Sequence, residues 1–227
     1  MAAAQETQIS QTKLQLPNNY EAILEEADSQ IDKSSSDKLC EQLYSGLFLN
    51  QKKKKFWVDK STQKIFFVLF AKSLSYPKGN WILQPISTAS PGGLEEFKLQ
   101  ESHRLMIEEA ILQESDSFEV KGKFNTCNLS PLTFYKVSFL IRMEKQAQGW
   151  EDPVNLRLVH PDGREEERRE KLKGKPENKW MDVLVGTFTT FIDAGEMEFS
   201  MYEFGKRKKK GLAVLAAFIQ PLPFRNN

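Results

Sequence analysis

An antiparallel β-sandwich of jelly-roll type, all-β apart from one or two short N-terminal helices, is the fold class that the sequence predicts. Three observations predict it. The apolar spacing changes after Gly46 from helical (about 3.6 residues) to strand-like (about 2). The alternating segments are separated by turns, with no helical stretches between them. The closing segment, Leu212 to Ile219, is apolar on both faces, as a strand buried on both sides should be.

Residues 1–18 are polar, poor in aromatics and end near Pro17, so they are expected to be disordered. Residues 19–50 read as a helical leader and 51–227 as the sandwich domain. In Asn19 to Ala27, Ile23, Leu24 and Ala27 fall at helical spacing, with Glu21 early, where a helix start favours an acid. Asp28 to Ser36 is a polar linker. Asp37 to Ser45 is a second helix, with Ser36 as its N-cap, Leu39 and Leu43 on one face and Gly46 as its stop. Helices this short do not stand alone and must dock on something.

Lys64 to Ala71 is a strand rich in Phe, Ile and Val. Ser117 to Thr126 puts Phe118, Val120, Gly122 and Phe124 on one face. Thr133 to Met143 alternates most clearly, with Tyr135, Val137, Phe139, Ile141 and Met143 against Lys136, Ser138 and Arg142. Val154, Leu156 and Leu158 alternate ahead of a Pro161-Asp162-Gly163 turn, and Trp180 to Phe188 and Glu196 to Tyr202 follow. Gly163 to Lys179 is almost purely charged and lacks apolar heptads, so it reads as a long solvated loop.

Composition narrows the function. The 227 residues are 40% hydrophobic, enough for one domain and an appendage, and the net charge of +1 gives no global field for nucleic acid or membrane. Neither a secretory h-region nor an uninterrupted apolar run of ~18 residues occurs. Two cysteines, Cys40 and Cys127, are too few for a disulfide framework, which points to a reducing, intracellular compartment. The sequon at Asn128 is followed by Pro131 and reads as a loop. His103 and His160 lie far apart and lack the companions of a metal site. With no G-x-S-x-G elbow, P-loop or dinucleotide fingerprint, the expectation is a protein that is not an enzyme and carries no metal or cofactor.

In order along the chain stand NYEAILEEADSQI (19–31), LYSGLFLNQKKKKFWVD (43–59), FVLFAKSLS (67–75), EVKGKFNT (119–126), GWEDPVNLRLVHPDG (149–163), KWMDVLVGTF (179–188), GEMEFSMYE (195–203) and KKGLAV (209–214). Together they resemble the phloem protein 2 family of plant lectins, also called Nictaba-like lectins. The resemblance implies a β-sandwich that binds N-acetylglucosamine oligomers and N-glycan cores. It also implies a cytoplasmic or nuclear setting in phloem cells, a homodimer and an association of some members with RNA; the charge and the missing apolar run point to no membrane partner.

A sugar offers an apolar face and a rim of hydroxyls, so its site wants an aromatic plate beside acceptors. The family's second binding-region tryptophan matches Trp81, and its two glutamates match Glu196 and Glu203. Its first tryptophan has no counterpart, and Tyr76 is the nearest substitute. Each has a plainer reading. Trp81 can cap a core; Glu203, on the parity of Met197, Phe199 and Met201, can simply meet a lysine; Glu196 can be a solvated strand start. Trp150 and Trp180 read as structural, and Trp57 as a pin holding the leader to the sandwich.

The basic runs Lys52, Lys53, Lys54, Lys55 and Lys206, Arg207, Lys208, Lys209, Lys210 read as solvated loops, or else as a nuclear import signal or an RNA backbone contact. A lectin therefore competes with a phloem structural or RNA-carrying protein whose sugar site has decayed.

Overall fold

The computed structural model describes residues 20–86, 107–190 and 195–222; the expected disorder of residues 1–18 and most of the segment 82–107 lie outside them. Two helices lead, α1 (Tyr20–Glu25) and α2 (Ser36–Ser45). The strands are β1 (Leu47–Leu49), β2 (Lys54–Val58), β3 (Ile65–Phe70), β4 (Ser75–Lys78), β5 (Trp81–Pro85), β6 (Glu108–Leu112) and β7 (Phe118–Asn125). Next come β8 (Phe134–Gln148), β9 (Val154–Val159), β10 (Glu165–Glu170), β11 (Trp180–Thr189), β12 (Glu196–Glu203) and β13 (Lys210–Pro221). The expected all-β antiparallel sandwich, preceded by two short helices, is what the chain forms.

Among the described residues one sheet has five strands in the order β10-β9-β12-β7-β4. The other has eight and is organised around β13. One edge of β13 pairs with β8, which in turn pairs with β11. Its other edge is divided: Ala216 to Ile219 meet β3 and the β1–β2 hairpin beyond it, while Ala213 and Val214 meet β6 and then β5. The two-sided apolar pattern of β13 follows from this position. Leu212, Val214, Ala217 and Ile219 enter the core between the sheets; Leu215, Ala216 and Phe218 join a second apolar cluster on the outer face with Val68, Phe70 and Leu140.

The leader docks as its length required. Ile23, Leu24 and Leu43 are buried in the main core with Phe56. Trp57, expected to pin the leader, lies in the outer cluster, against which Phe48 of the leader packs, and stacks on Phe66 at 5.0 Å. Alternation along β2 places neighbours on opposite faces, so Phe56 takes the inward position. The cap of α2 is Ser35 rather than Ser36: its backbone is extended and its hydroxyl accepts the Lys38 N–H at 3.3 Å. Gly46 closes the helix at φ 92°, a conformation that favours glycine.

The charged segment 163–179 is not one long loop. Its first part is β10, paired in register with β9 from Glu165↔Val159 to Glu170↔Val154. The hairpin is nucleated locally: His160 N–H donates to the Arg164 carbonyl at 2.8 Å, Arg164 N–H to Asp162 Oδ1 at 3.0 Å, and Gly163 takes φ 83°. An edge strand can be wholly charged because the backbone ladder holds it, and the charges keep its open edge from pairing elsewhere.

Candidate functional site

At one end of the sandwich four rings run inward from the surface. Tyr76 lies 5.0 Å from Trp81, Trp81 meets Phe118 edge-on at 6.2 Å, and Phe118 meets Trp150 at 5.5 Å. The partly exposed Trp81 opens β5, and its indole N–H donates to the Lys78 carbonyl at 2.9 Å, which fixes the plane of the ring. Gly79, at φ 99°, allows this turn: a Cβ there would sit 2.8 Å from the indole nitrogen. The Tyr76 hydroxyl donates to the Ala71 carbonyl at 2.9 Å, and burial pushes its pKa above the ordinary phenol value. Trp150 is buried and bonded to the Lys210 carbonyl at 2.9 Å, a structural placement.

Glu203 reaches the same end, because it stands opposite Phe118 in the β12–β7 register. Cross-strand partners project to the same face, so its carboxylate points into the packed end. There it is buried, ion-paired to the buried Lys209, and accepts the Gly205 N–H at 2.5 Å. Lys209 also donates to the carbonyls of Asp116 (2.8 Å) and Arg207 (2.7 Å). The lysine partner foreseen as the plainer alternative is the one present. On the solvent side of this end Lys78 sits 4.3 Å above the half-exposed Phe204 ring, which stacks on Tyr202 at 4.9 Å.

Glu196 does not join this group. It starts β12 where Glu203 ends it, and seven residue steps of strand separate them by about 23 Å. Its carboxylate is exposed and shares Lys123 with Glu198, at 2.9 and 2.7 Å. The structure thus puts Tyr76 and Trp81 in contact, Glu203 behind them at the same end of the sandwich, and Glu196 at the far end.

Both basic runs are largely engaged. Lys54 pairs with Glu26 at 2.8 Å, and Lys55 is buried with its ammonium 5.1 Å from the Phe48 ring. Arg207 faces Glu151 and Asp152 at 3.4 and 3.5 Å, and Lys208 pairs with Glu114 at 2.7 Å. A nucleic-acid phosphate would have to displace these carboxylates.

Sequence reasoning missed a cleft of about 610 Å³ at the Glu196 end. Phe188, Met197 and Pro161 form its apolar floor with Phe134 at its mouth, and His160, Asp162, Arg164 and Glu166 form its polar side. The His160–Gly163 turn was the one available signal, since it marks where β9 and β10 close the wall.

The fold and its aromatic end define a two-sheet antiparallel sandwich that presents rings and polar groups at its ends. The chain belongs to the phloem protein 2 family, whose model matches residues 95–221. It is 40% identical over 210 residues to the protein phloem protein 2-like A1 of Arabidopsis thaliana, covering 90% of this chain and 81% of that one. It is 31% identical over 216 residues to a lectin of Luffa acutangula, covering 92% and 96%. Among solved structures, a family 35 carbohydrate-binding module from Clostridium thermocellum aligns at a TM-score of 0.40 and 10% identity, covering 68% of this chain and 96% of that one. That likeness is too remote to bear on the site.

Proposed function

We propose that the chain is a carbohydrate-binding lectin whose sugar site is the Tyr76–Trp81 end and whose ligands are N-acetylglucosamine oligomers or N-glycan cores. The observation that carries this reading is the Trp81 indole, partly open to solvent and locked in plane by its bond to Lys78. A pyranose stacks its C–H face on such a ring, and a ring that is already fixed loses little freedom on binding. The lectin relative from Luffa acutangula supports the class of ligand. Glu203 serves the site from behind: with Lys209 it holds the β12 end against Phe118, on which Trp81 rests. Tyr76 buttresses the other side of the indole.

The two family-matched glutamates do not form a hydrolytic pair. Glycosidase carboxylates stand about 5 to 10 Å apart, whereas these are separated by about 23 Å of strand. Binding without bond cleavage is the reading that this spacing supports.

A glycan array tests the proposal. Wild type is expected to retain chito-oligosaccharides, and Trp81→Ala to weaken that retention about tenfold or more, equivalent to about 1.4 kcal/mol. A wild-type protein silent on every glycan would leave the decayed-site alternative standing.

A further inference from the structure

The cleft beside β12 has the chemistry that sugar recognition needs, at the end of the sandwich away from Trp81. Phe134 lies at its mouth, 37% exposed, with Phe188 and Met197 buried beneath. The polar side is held in one arrangement. The Arg164 guanidinium approaches His160 Nδ1 at 3.4 Å and can only donate, so Nδ1 accepts and the ring proton sits on Nε2. Nε2 then donates to Glu166 Oε1 at 3.0 Å. His160 is nine-tenths buried, so this chain of contacts fixes Glu166 on the cleft wall. Asp162 is fixed likewise, its Oδ1 accepting the Arg164 N–H. Each carboxylate keeps a second oxygen free of the bonds that hold it.

This arrangement selects among ligands. Arg164 Nη1 also stands 3.7 Å from Glu166 Oε1, so the charges of the wall largely offset one another and neither an anion nor a cation meets a dedicated counter-charge. What remains is a neutral molecule with an apolar face for Phe134 and hydroxyls for the carboxylate oxygens. The volume of about 610 Å³ suits one or two sugar rings.

We infer that this cleft is a second sugar-binding site, built by Phe134, Asp162 and Glu166, so that a single chain carries two glycan sites at opposite ends. The inference rests on the lectin reading for its ligand class but shares no residue with the Trp81 site. Two sites facing apart let one chain bridge two glycans without a partner subunit.

The test is an amide NMR titration of the full chain with triacetylchitotriose, repeated with an N-glycan core pentasaccharide. Two separate groups of shifted resonances are expected, one around Trp81 and one around Glu166 and Thr187. Phe134→Ala should weaken binding at the second group about tenfold and leave the first unchanged. Glu166→Gln, which keeps an acceptor for His160, should act in the same direction and covers the case in which Phe134→Ala fails to fold. Shifts confined to the Trp81 end with both ligands overturn the second site and leave the lectin reading intact. Shifts confined to the cleft support it and overturn the placement at Trp81. No shifts at either end overturn both.

Discussion

Replacing Lys209 with methionine is expected to lower the free energy of unfolding by about 3–5 kcal/mol, the cost of leaving a buried carboxylate without its counter-charge. The carboxylate is Glu203, and the pair lies almost wholly out of solvent. The loss also frees the carbonyls of Asp116 and Arg207, which Lys209 now caps. The double replacement Lys209→Met with Glu203→Met should recover most of the loss, because neither charge then needs a partner. Urea titration of the four proteins measures the cycle. A single-variant loss below about 1 kcal/mol would mean that the pair behaves as a solvated one. The same cycle separates two meanings of a glycan-binding defect at Glu203. If Glu203 supports Trp81 from behind, the double variant regains both stability and binding; if it touches the sugar, stability returns and binding does not.

Phe199→Ala should cost a comparable amount, about 3–5 kcal/mol, through lost burial and the cavity left behind. Phe199 is buried at the centre of the smaller sheet's inner face and meets Phe139 of the opposite sheet edge-on at 5.5 Å. Its ring lies over Gly122 on the neighbouring strand, and a Cβ at that glycine would overlap the ring. Gly122→Ala alone should therefore destabilise by overpacking, by about 1–3 kcal/mol. Combined with Phe199→Ala it should cost less than the sum, since the added methyl enters the vacated space. Strict additivity in thermal or denaturant unfolding would show that the two positions do not share one packing volume.

These positions show what could be read from the sequence. Phe199 and Gly122 fell on inward faces because alternation along Ser117–Thr126 and Glu196–Tyr202 marked them. Alternation is a local signal, and it served wherever one face of a strand is apolar. It failed at Glu165–Glu170, where neither face is, and the strand exists only because β9 and the Asp162–Gly163 turn present a ladder to it. It was also silent at β4 and β5, whose exposed residues carry no period.

The site was legible in the same partial way. Tyr76 and Trp81 are close in sequence, and the Gly79 turn brings them into contact. Glu196 and Glu203 are also close in sequence, yet an odd spacing along a strand puts them on opposite faces as well as at opposite ends. The parity that assigned Glu203 to the packed side already argued against a shared pocket. Which cations of the basic runs meet carboxylates could not be read at all, because Glu26, Glu114 and Glu151 arrive from distant segments. The Phe134 cleft draws its walls from four strands and a turn, and no local pattern announces such a meeting.

The divided edge of β13 has a consequence for how the protein is made. Its residues 210–221 leave the ribosome after every strand they join, and among the described residues β3, β6 and β8 are hydrogen-bonded into one sheet only through them. Up to residue 209 every strand of the smaller sheet has been translated, while the larger sheet still lacks the strand that joins its β1–β2–β3, β5–β6 and β8–β11 pieces. At about 5–20 residues per second that interval lasts about 10–40 seconds, long enough for a chaperone to be engaged before β13 arrives.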